Sequence, residues 1–124
     1  MSGTILGWIV NYRKGPQIVD LSNNFFESWI PCVHGSHDII NFSYNLLLGL
    51  LPTCLNLQDV EHVFLRGNKL TGSLPKAVLN SSSLVTLDIR DNSFFGSIPK
   101  EIDGLSNLKV ILLSGNQFSR MIPK

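Results

Sequence analysis

The side chains that could do chemistry are few, and their spacing favours none of the usual reactions. His34, His37 and Asp38 fall in one short stretch, and His62 follows Glu61. Neither group has the ligand spacing of a typical metal site. The sequence also lacks a nucleophile elbow, a phosphate-binding glycine loop and a paired-carboxylate motif. It therefore predicts no enzyme, no cofactor and no metal site.

The two cysteines, Cys32 and Cys54, could form a disulfide between neighbouring turns of a repeat or remain free thiols. Cys54 stands where later turns have Val78 and Ile102, which indicates a small buried side chain. The register of the two sites does not match, so free thiols are favoured over a disulfide.

Composition excludes several classes of partner. The formal net charge is +1 and only 15% of the residues are charged, which argues against nucleic acid and anionic membranes. No run of about 20 apolar residues is present, so we expect no membrane insertion by this chain. The first ten residues lack the charged start and long apolar run of a signal peptide.

The remaining polar residues are ordered by a repeat. Five asparagines stand 21, 23, 24 and 24 residues apart: Asn24, Asn45, Asn68, Asn92 and Asn116. Apolar residues lie five and three positions before each asparagine and two positions after it, and an aliphatic–Pro pair follows at six and seven. A pattern that recurs at one period predicts a solenoid, and a solenoid favours surface recognition over catalysis.

The third turn shows how one unit is built. Val63-Phe64-Leu65 alternates inward and outward, as a short strand does. Asn68 then points inward, where its amide needs partners from neighbouring turns, so stacked turns predict an asparagine ladder. Thr71-Gly72-Ser73 lets the backbone pass closely. Pro75 ends the unit, and an irregular return limb leads to the next strand.

We expect one array over residues 1–124. A partial turn over residues 1–11 precedes about five turns centred on the asparagines, and the second turn is three residues short. Neither end has the polar capping turn that solenoids normally need. The sequence therefore predicts a fragment of a longer array, or a truncated product of one.

The repeat resembles a known family. The frame from Leu87 to Pro99, Leu-Asp-Ile-Arg-Asp-Asn-Ser-Phe-Phe-Gly-Ser-Ile-Pro, is similar to the plant extracellular type of leucine-rich repeat. Residues 51–57 and 80–88 resemble plant receptor-like proteins, which are similar to receptor kinases but lack the kinase. The resemblance covers residues 3 to 124. It implies a right-handed α/β solenoid with a short-stranded parallel sheet on the concave face and a mostly irregular or 3₁₀ convex side.

The resemblance also implies a function. It points to a protein- or peptide-recognition module in defence or developmental signalling, with an extracellular ligand and a co-receptor kinase as partners. The parent protein would lie on the extracellular side of the plasma membrane. Two alternatives stay open. One is an inhibitor of a secreted cell-wall-degrading enzyme, built on the same repeat, and the other is a truncated, non-signalling remnant.

Outward positions of the strands form columns that could bind such a ligand. Phe64 and Leu112 are expected to be exposed and flanked by charged side chains, a mixture that is typical of binding hot spots. The alternative is an ordinary solvated face on which Asp88 pairs weakly with Arg90 or Arg66. The predicted ligand-binding residues of the concave face are Asn41, Tyr44, His62, Phe64, Arg66, Asp88, Arg90 and Leu112.

Two sites fit the acceptor rule for N-linked glycans. Asn41-Phe42-Ser43 and Asn80-Ser81-Ser82 both have the required spacing. Asn80 lies on a return limb, whereas Asn41 lies on the strand face, where a sugar would block access of a ligand.

Overall fold

The strands of the solenoid are short and recur in every turn. The computed structural model describes residues 2–3, 18–28, 30, 38–51, 60–74, 78, 81–98, 102 and 104–118. In chain order the strands are β1 (Ser2–Gly3), β2 (Ile18–Asp20), β3 (Phe25–Ser28), β4 (Ile39–Asn41), β5 (Leu46–Leu50), β6 (His62–Phe64), β7 (Lys69–Gly72), β8 (Thr86–Asp88), β9 (Ser93–Gly96), β10 (Val110–Leu112) and β11 (Gln117–Phe118).

The described strands form two parallel sheets. The first sheet has the order β10-β8-β6-β4-β2, with one strand from each turn, and its outward side is the face that the resemblance predicts to be concave. Its central residues lie in register and form the spine of the core: Val19, Ile40, Val63, Leu87 and Ile111. The residues on either side of them point outward, as the alternation in the sequence predicts.

The second sheet was not predicted from the sequence. It has the order β1-β3-β5-β7-β9-β11, and five of its strands begin directly after an asparagine of the ladder. Thr71 and Gly72 were expected only to pass close to the next turn, but they pair with Ser93 and Phe94. A fixed period brings the segment after each asparagine alongside its equivalent, and backbone groups so placed form a ladder.

A glycine permits close packing within this second sheet. Gly72 has a φ of +92°, and an added Cβ there would collide with the side chain of Leu50. Both the left-handed backbone and the neighbouring leucine therefore favour glycine at this position.

The asparagines join successive turns through the hydrogen bonds of their amides. The Asn68 Nδ2 group donates to the carbonyl oxygens of Phe42 and Leu65, both at 3.0 Å. Its Oδ1 accepts a hydrogen bond from the Leu47 N–H at 3.1 Å. The same pattern of two carbonyl acceptors and one amide donor recurs at Asn45, Asn92 and Asn116. Each of these amides thus connects its own turn to the preceding turn.

The return limbs contain tight turns and pack on the apolar spine. The Leu84 N–H donates to the Ser81 carbonyl at 3.0 Å, and the Leu105 N–H donates to the Ile102 carbonyl at 3.2 Å. Bonds that span three residues are those of 3₁₀ turns, and they agree with the predicted convex side. Leu84 and Leu105 are buried, so these turns also close the core.

Several predictions fall on residues outside the described part of the chain. These residues are Cys32, His34, His37, Cys54 and Asn80. Of the partial turn over residues 1–11, Ser2 and Gly3 are described, and they pair with β3. In the described ranges, no helix is long and apolar enough to cross a membrane.

Candidate functional site

One continuous row of side chains crosses the concave face. Register places Asn41 beside Phe64, Phe64 beside Asp88, and Asp88 beside Leu112. Neighbouring strands in a sheet lie about 4.8 Å apart, so the row is short enough for one extended ligand to cross all four strands. Four of the eight predicted site residues are therefore brought together in a single row.

Short polar side chains in this row hold the backbone that follows each strand. The Asn41 Oδ1 accepts a hydrogen bond from the Ser43 N–H at 3.0 Å, and the Asp88 Oδ1 accepts one from the Arg90 N–H at 3.2 Å. Asp20, in the same column on β2, accepts from the Ser22 N–H at 3.0 Å and its Oγ at 2.6 Å. These hydrogen bonds from Ser22 lower the pKa of Asp20. An Asn or Asp at this position thus fixes the bend into the ladder asparagine.

Asp88 forms the most enclosed ion pair among the described residues. It is 4% exposed, although the sequence predicted an outward, solvated carboxylate. Arg90 covers it by donating from Nε to Oδ1 at 2.9 Å and from Nη2 to Oδ2 at 2.8 Å. Burial raises the pKa of Asp88, but the hydrogen bonds and charge of Arg90, with the charge of Arg66, outweigh it and leave the pKa lowered. The hydrogen bond to Asp88 in turn raises the pKa of Arg90.

Arg66 belongs to a second polar cluster beside this pair. Its guanidinium carbon lies 5.8 Å from the centre of the Tyr44 ring, within range of a cation–π contact. Its Nε donates to the Asp91 Oδ2 at 2.9 Å. Gly67, with a φ of +75°, leaves room for the Tyr44 ring, because an added Cβ would lie 2.6 Å from Tyr44 Cδ1. Arg66 is thus fixed between an aromatic ring and a carboxylate.

His62 lies at the opposite end of the strands from Arg66. Its Nδ1 is 3.0 Å from the Thr86 Oγ1, and its ring stacks on Phe64 with centroids 6.4 Å apart and planes 10° apart. The stack makes Phe64 and His62 one aromatic surface on β6.

The apolar members of the row are less exposed than the sequence predicted. Phe64 and Leu112 are each partly buried, and the His62 ring stacks on Phe64. The strongly exposed large apolar residues among those described lie elsewhere, and Phe25 and Leu50 in the second sheet are 67% and 64% exposed. Both side chains were expected to be exposed, and they are instead partly buried.

Two site residues were missed in the sequence. Asp91 and Thr86 were not predicted, yet they fix Arg66 and His62 respectively. Asp91 has a φ of +57°, like Asn23 and Tyr44 at equivalent positions. The Asn, Asp and Gly residues that precede the ladder asparagine could have indicated this left-handed bend.

The site is suited to binding rather than to bond making. Two guanidinium groups and two carboxylates are paired with each other, so their formal charges balance. Partly buried aromatic and aliphatic side chains lie between them. Paired charges around apolar surface recognise a partner by shape and hydrogen bonding.

The fold and the repeat together define the class of protein: the chain is a leucine-rich-repeat solenoid, as the resemblance predicted. Residues 83–105 match the family described as Leucine Rich Repeat. The similarity extends to plant receptors. The chain is 35% identical over 77 residues to Receptor-like protein 31 of Arabidopsis thaliana, which covers 58% of this chain and 9% of that protein.

Solved structures share the fold. The Arabidopsis receptor kinase HAESA, solved with the peptide hormone IDA and the co-receptor SERK1, matches with a TM-score of 0.79 and 31% identity, covering 94% of this chain and 20% of that one. A plant ice-binding protein matches with a TM-score of 0.83 and 25% identity, covering 99% of this chain and 40% of that one. The chain spans less than half the length of each of these relatives.

Proposed function

We propose that the concave face of this chain recognises an extended peptide or protein segment as part of a plant receptor-like ectodomain. The observation that carries the proposal is the row from Asn41 through Phe64 and Asp88 to Leu112, with the fixed Arg66 guanidinium beside it. The similarity to a receptor kinase solved with a peptide hormone supports it. Recognition of this kind needs no catalytic group.

The role of each side chain follows from its surroundings. Phe64 offers apolar surface within the row and Leu112 offers it at one end, and apolar contacts there would exclude water from the neighbouring polar contacts. Asn41 and Tyr44 offer hydrogen-bonding groups at its edge. Asp88 and Arg90 are already bonded to each other, so they shape the surface and stiffen it before a ligand arrives, which lowers the entropic cost of binding.

The wider biology is part of the same proposal. We infer an extracellular location for the parent protein, a co-receptor kinase as second partner, and a role in defence or development. Asn41 and Asn80 are proposed glycan acceptors. A glycan on Asn41 would cover Phe64, so binding at the row requires a chain whose Asn41 is unmodified.

Selection from a random peptide library tests the proposal. Peptides displayed on phage are selected against the immobilised full chain, and their affinities are then measured for Phe64→Ala and Arg66→Ala. Each substitution should weaken binding by about tenfold or more, the effect of losing a hot-spot side chain.

Phe95→Ala and Lys109→Ala are matched controls, because both residues are exposed and neither lies on the row. They should bind the selected peptides as the unchanged chain does. Selected peptides that bind Phe64→Ala and Arg66→Ala with full affinity would overturn the proposal.

A further inference from the structure

The outward side of the second sheet carries exposed leucines on β5, with one charged residue on each of the two strands that pair with β5. Leu46, Leu48 and Leu50 alternate with inward residues along β5 and are 39%, 42% and 64% exposed. On one side β3 presents Glu27, and on the other side β7 presents Lys69, both exposed. We call these five residues the second-sheet face.

This face has no role in the site described above. It lies on a different sheet from the row of Phe64 and Asp88. Contiguous apolar surface on a sheet that is flanked by charges marks an interaction site. Neither Glu27 nor Lys69 forms an ion pair with another residue in the described ranges, so both remain available to a partner.

The charges on the two sides are arranged for self-association. Glu27 is in register with Leu46, whereas Lys69 is in register with Leu48. The midpoint between the acid and the base therefore falls on β5, between those two leucines. A twofold axis through that midpoint, lying in the plane of the face and perpendicular to the line from Glu27 to Lys69, puts each Glu27 opposite the Lys69 of a second copy.

We propose that the second-sheet face binds a second copy of this chain, giving a symmetric dimer. The leucines of β5 pack on their own equivalents, which is what an isologous contact requires. Two Glu27–Lys69 pairs flank this dry centre and fix the relative orientation of the copies. The concave face of each copy stays open to a ligand.

The size of the face sets the strength of the dimer. Three strands spaced about 4.8 Å apart and about five residues long give a face of roughly 15 by 15 Å. Standard interfaces bury about 800 Å² on each partner, so the contact is small. We expect a reversible dimer with a Kd of about 100 µM.

Sedimentation equilibrium of the full chain up to about millimolar concentration tests the proposal. The unchanged chain should show a monomer–dimer equilibrium, and Leu48→Glu should remain monomeric. Ile18→Glu is the matched control, because Ile18 is 58% exposed on the other sheet, and it should dimerise normally. Thermal unfolding of each variant checks that it is folded.

A charge exchange tests the arrangement itself. Glu27→Lys and Lys69→Glu should each weaken the dimer by about tenfold or more, because each places like charges opposite one another. The double variant Glu27→Lys/Lys69→Glu should recover the original Kd. An unchanged chain that stays monomeric up to millimolar concentration would overturn the proposal. A double variant that dimerises no more tightly than either single variant would overturn it too. A monomeric chain that instead uses Leu48 to bind a different receptor ectodomain would also overturn it.

Discussion

At the scale of single residues, Asp88 shows how a surface position becomes enclosed. Its carboxylate lies on the outward side of β8, yet Arg90 folds back two residues and covers it with two hydrogen bonds. A buried carboxylate without such a partner would be strongly destabilising. Removing Arg90 would therefore leave the Asp88 carboxylate buried without its partner, whereas Arg90 itself is partly exposed.

Asp88→Asn should destabilise the chain by about 1–2 kcal/mol at pH 7, since hydrogen bonds to a charged group are replaced by bonds to a neutral amide. The pKa of Asp88 is lower in the folded state than its unfolded value of about 3.9. The stabilisation is thus fully present above that unfolded value and is lost as the pH falls through the folded pKa. Urea unfolding of both proteins between pH 7 and pH 2 measures the difference, which should shrink toward the acid end.

Asp20→Asn is the control for this prediction. Asp20 occupies the same column but is exposed and bonded only to Ser22 among the described residues. At pH 7, Asp20→Asn should lower the free energy of unfolding clearly less than Asp88→Asn does. Equal losses for the two variants, or a difference that does not change with pH, would show that enclosure by Arg90 is unimportant.

At the scale of elements, the asparagine ladder holds the strands of adjacent turns together. Asn68→Ala removes partners from the Phe42 and Leu65 carbonyls and from the Leu47 N–H. Buried backbone groups left without partners cost about 1–3 kcal/mol each. Water molecules that enter the space left by the side chain can bond to some of these groups and reduce that cost. We expect a loss of about 3 kcal/mol in the free energy of unfolding, measured by urea unfolding.

Asn68→Asp separates the amide's two functions. The carboxylate keeps the acceptor for Leu47 but faces two carbonyl oxygens, so its pKa in the folded state should rise. The difference in free energy of unfolding between this variant and the unchanged chain should then shrink as the pH falls and the carboxylate is protonated. Asn107→Ala is the control, because Asn107 is exposed and, among the described residues, its side chain has one hydrogen bond, to the Ser82 carbonyl at 2.8 Å. If Asn68→Ala were as stable as Asn107→Ala, the asparagine ladder would not be what holds adjacent turns together.

The first sheet and the asparagine ladder could be predicted from the sequence, because both follow from residue type at a fixed period. The second sheet was not predicted, since it depends on hydrogen bonds between the backbones of the segments after the asparagines, and the side-chain pattern does not specify those bonds. Leu48 pairs with Lys69, and Thr71 pairs with Ser93. The column of Asn41, Phe64 and Asp88 was likewise predictable, but the burial of Asp88 was not. That burial depends on the conformation of the long Arg90 side chain, and the spacing of residues in the sequence does not determine this conformation.

At the scale of the whole molecule, stability is a sum over neighbouring turns. Leu87 lies between Val63 and Ile111 in the spine, so neighbours cover it on both sides, and it is 1% exposed. Ile111 packs against Leu87 on one side and is only partly buried. The same inward position therefore contributes differently according to how many turns enclose it.

The substitutions Leu87→Ala and Ile111→Ala measure how much each of these two positions contributes to stability. Leu87→Ala should cost about 3 kcal/mol, because it leaves a cavity in a fully enclosed site. Ile111→Ala should cost about 1 kcal/mol, since part of the removed surface already contacts solvent and neighbours can relax into the space. Urea unfolding followed by circular dichroism, at concentrations well below the expected dimer Kd, gives both values. Val110→Ala, at a residue 41% exposed beside Ile111, should change stability little. Equal losses at Leu87 and Ile111 would mean that the turns unfold as one uniform core, and the nearest-neighbour description of this solenoid would have to be abandoned.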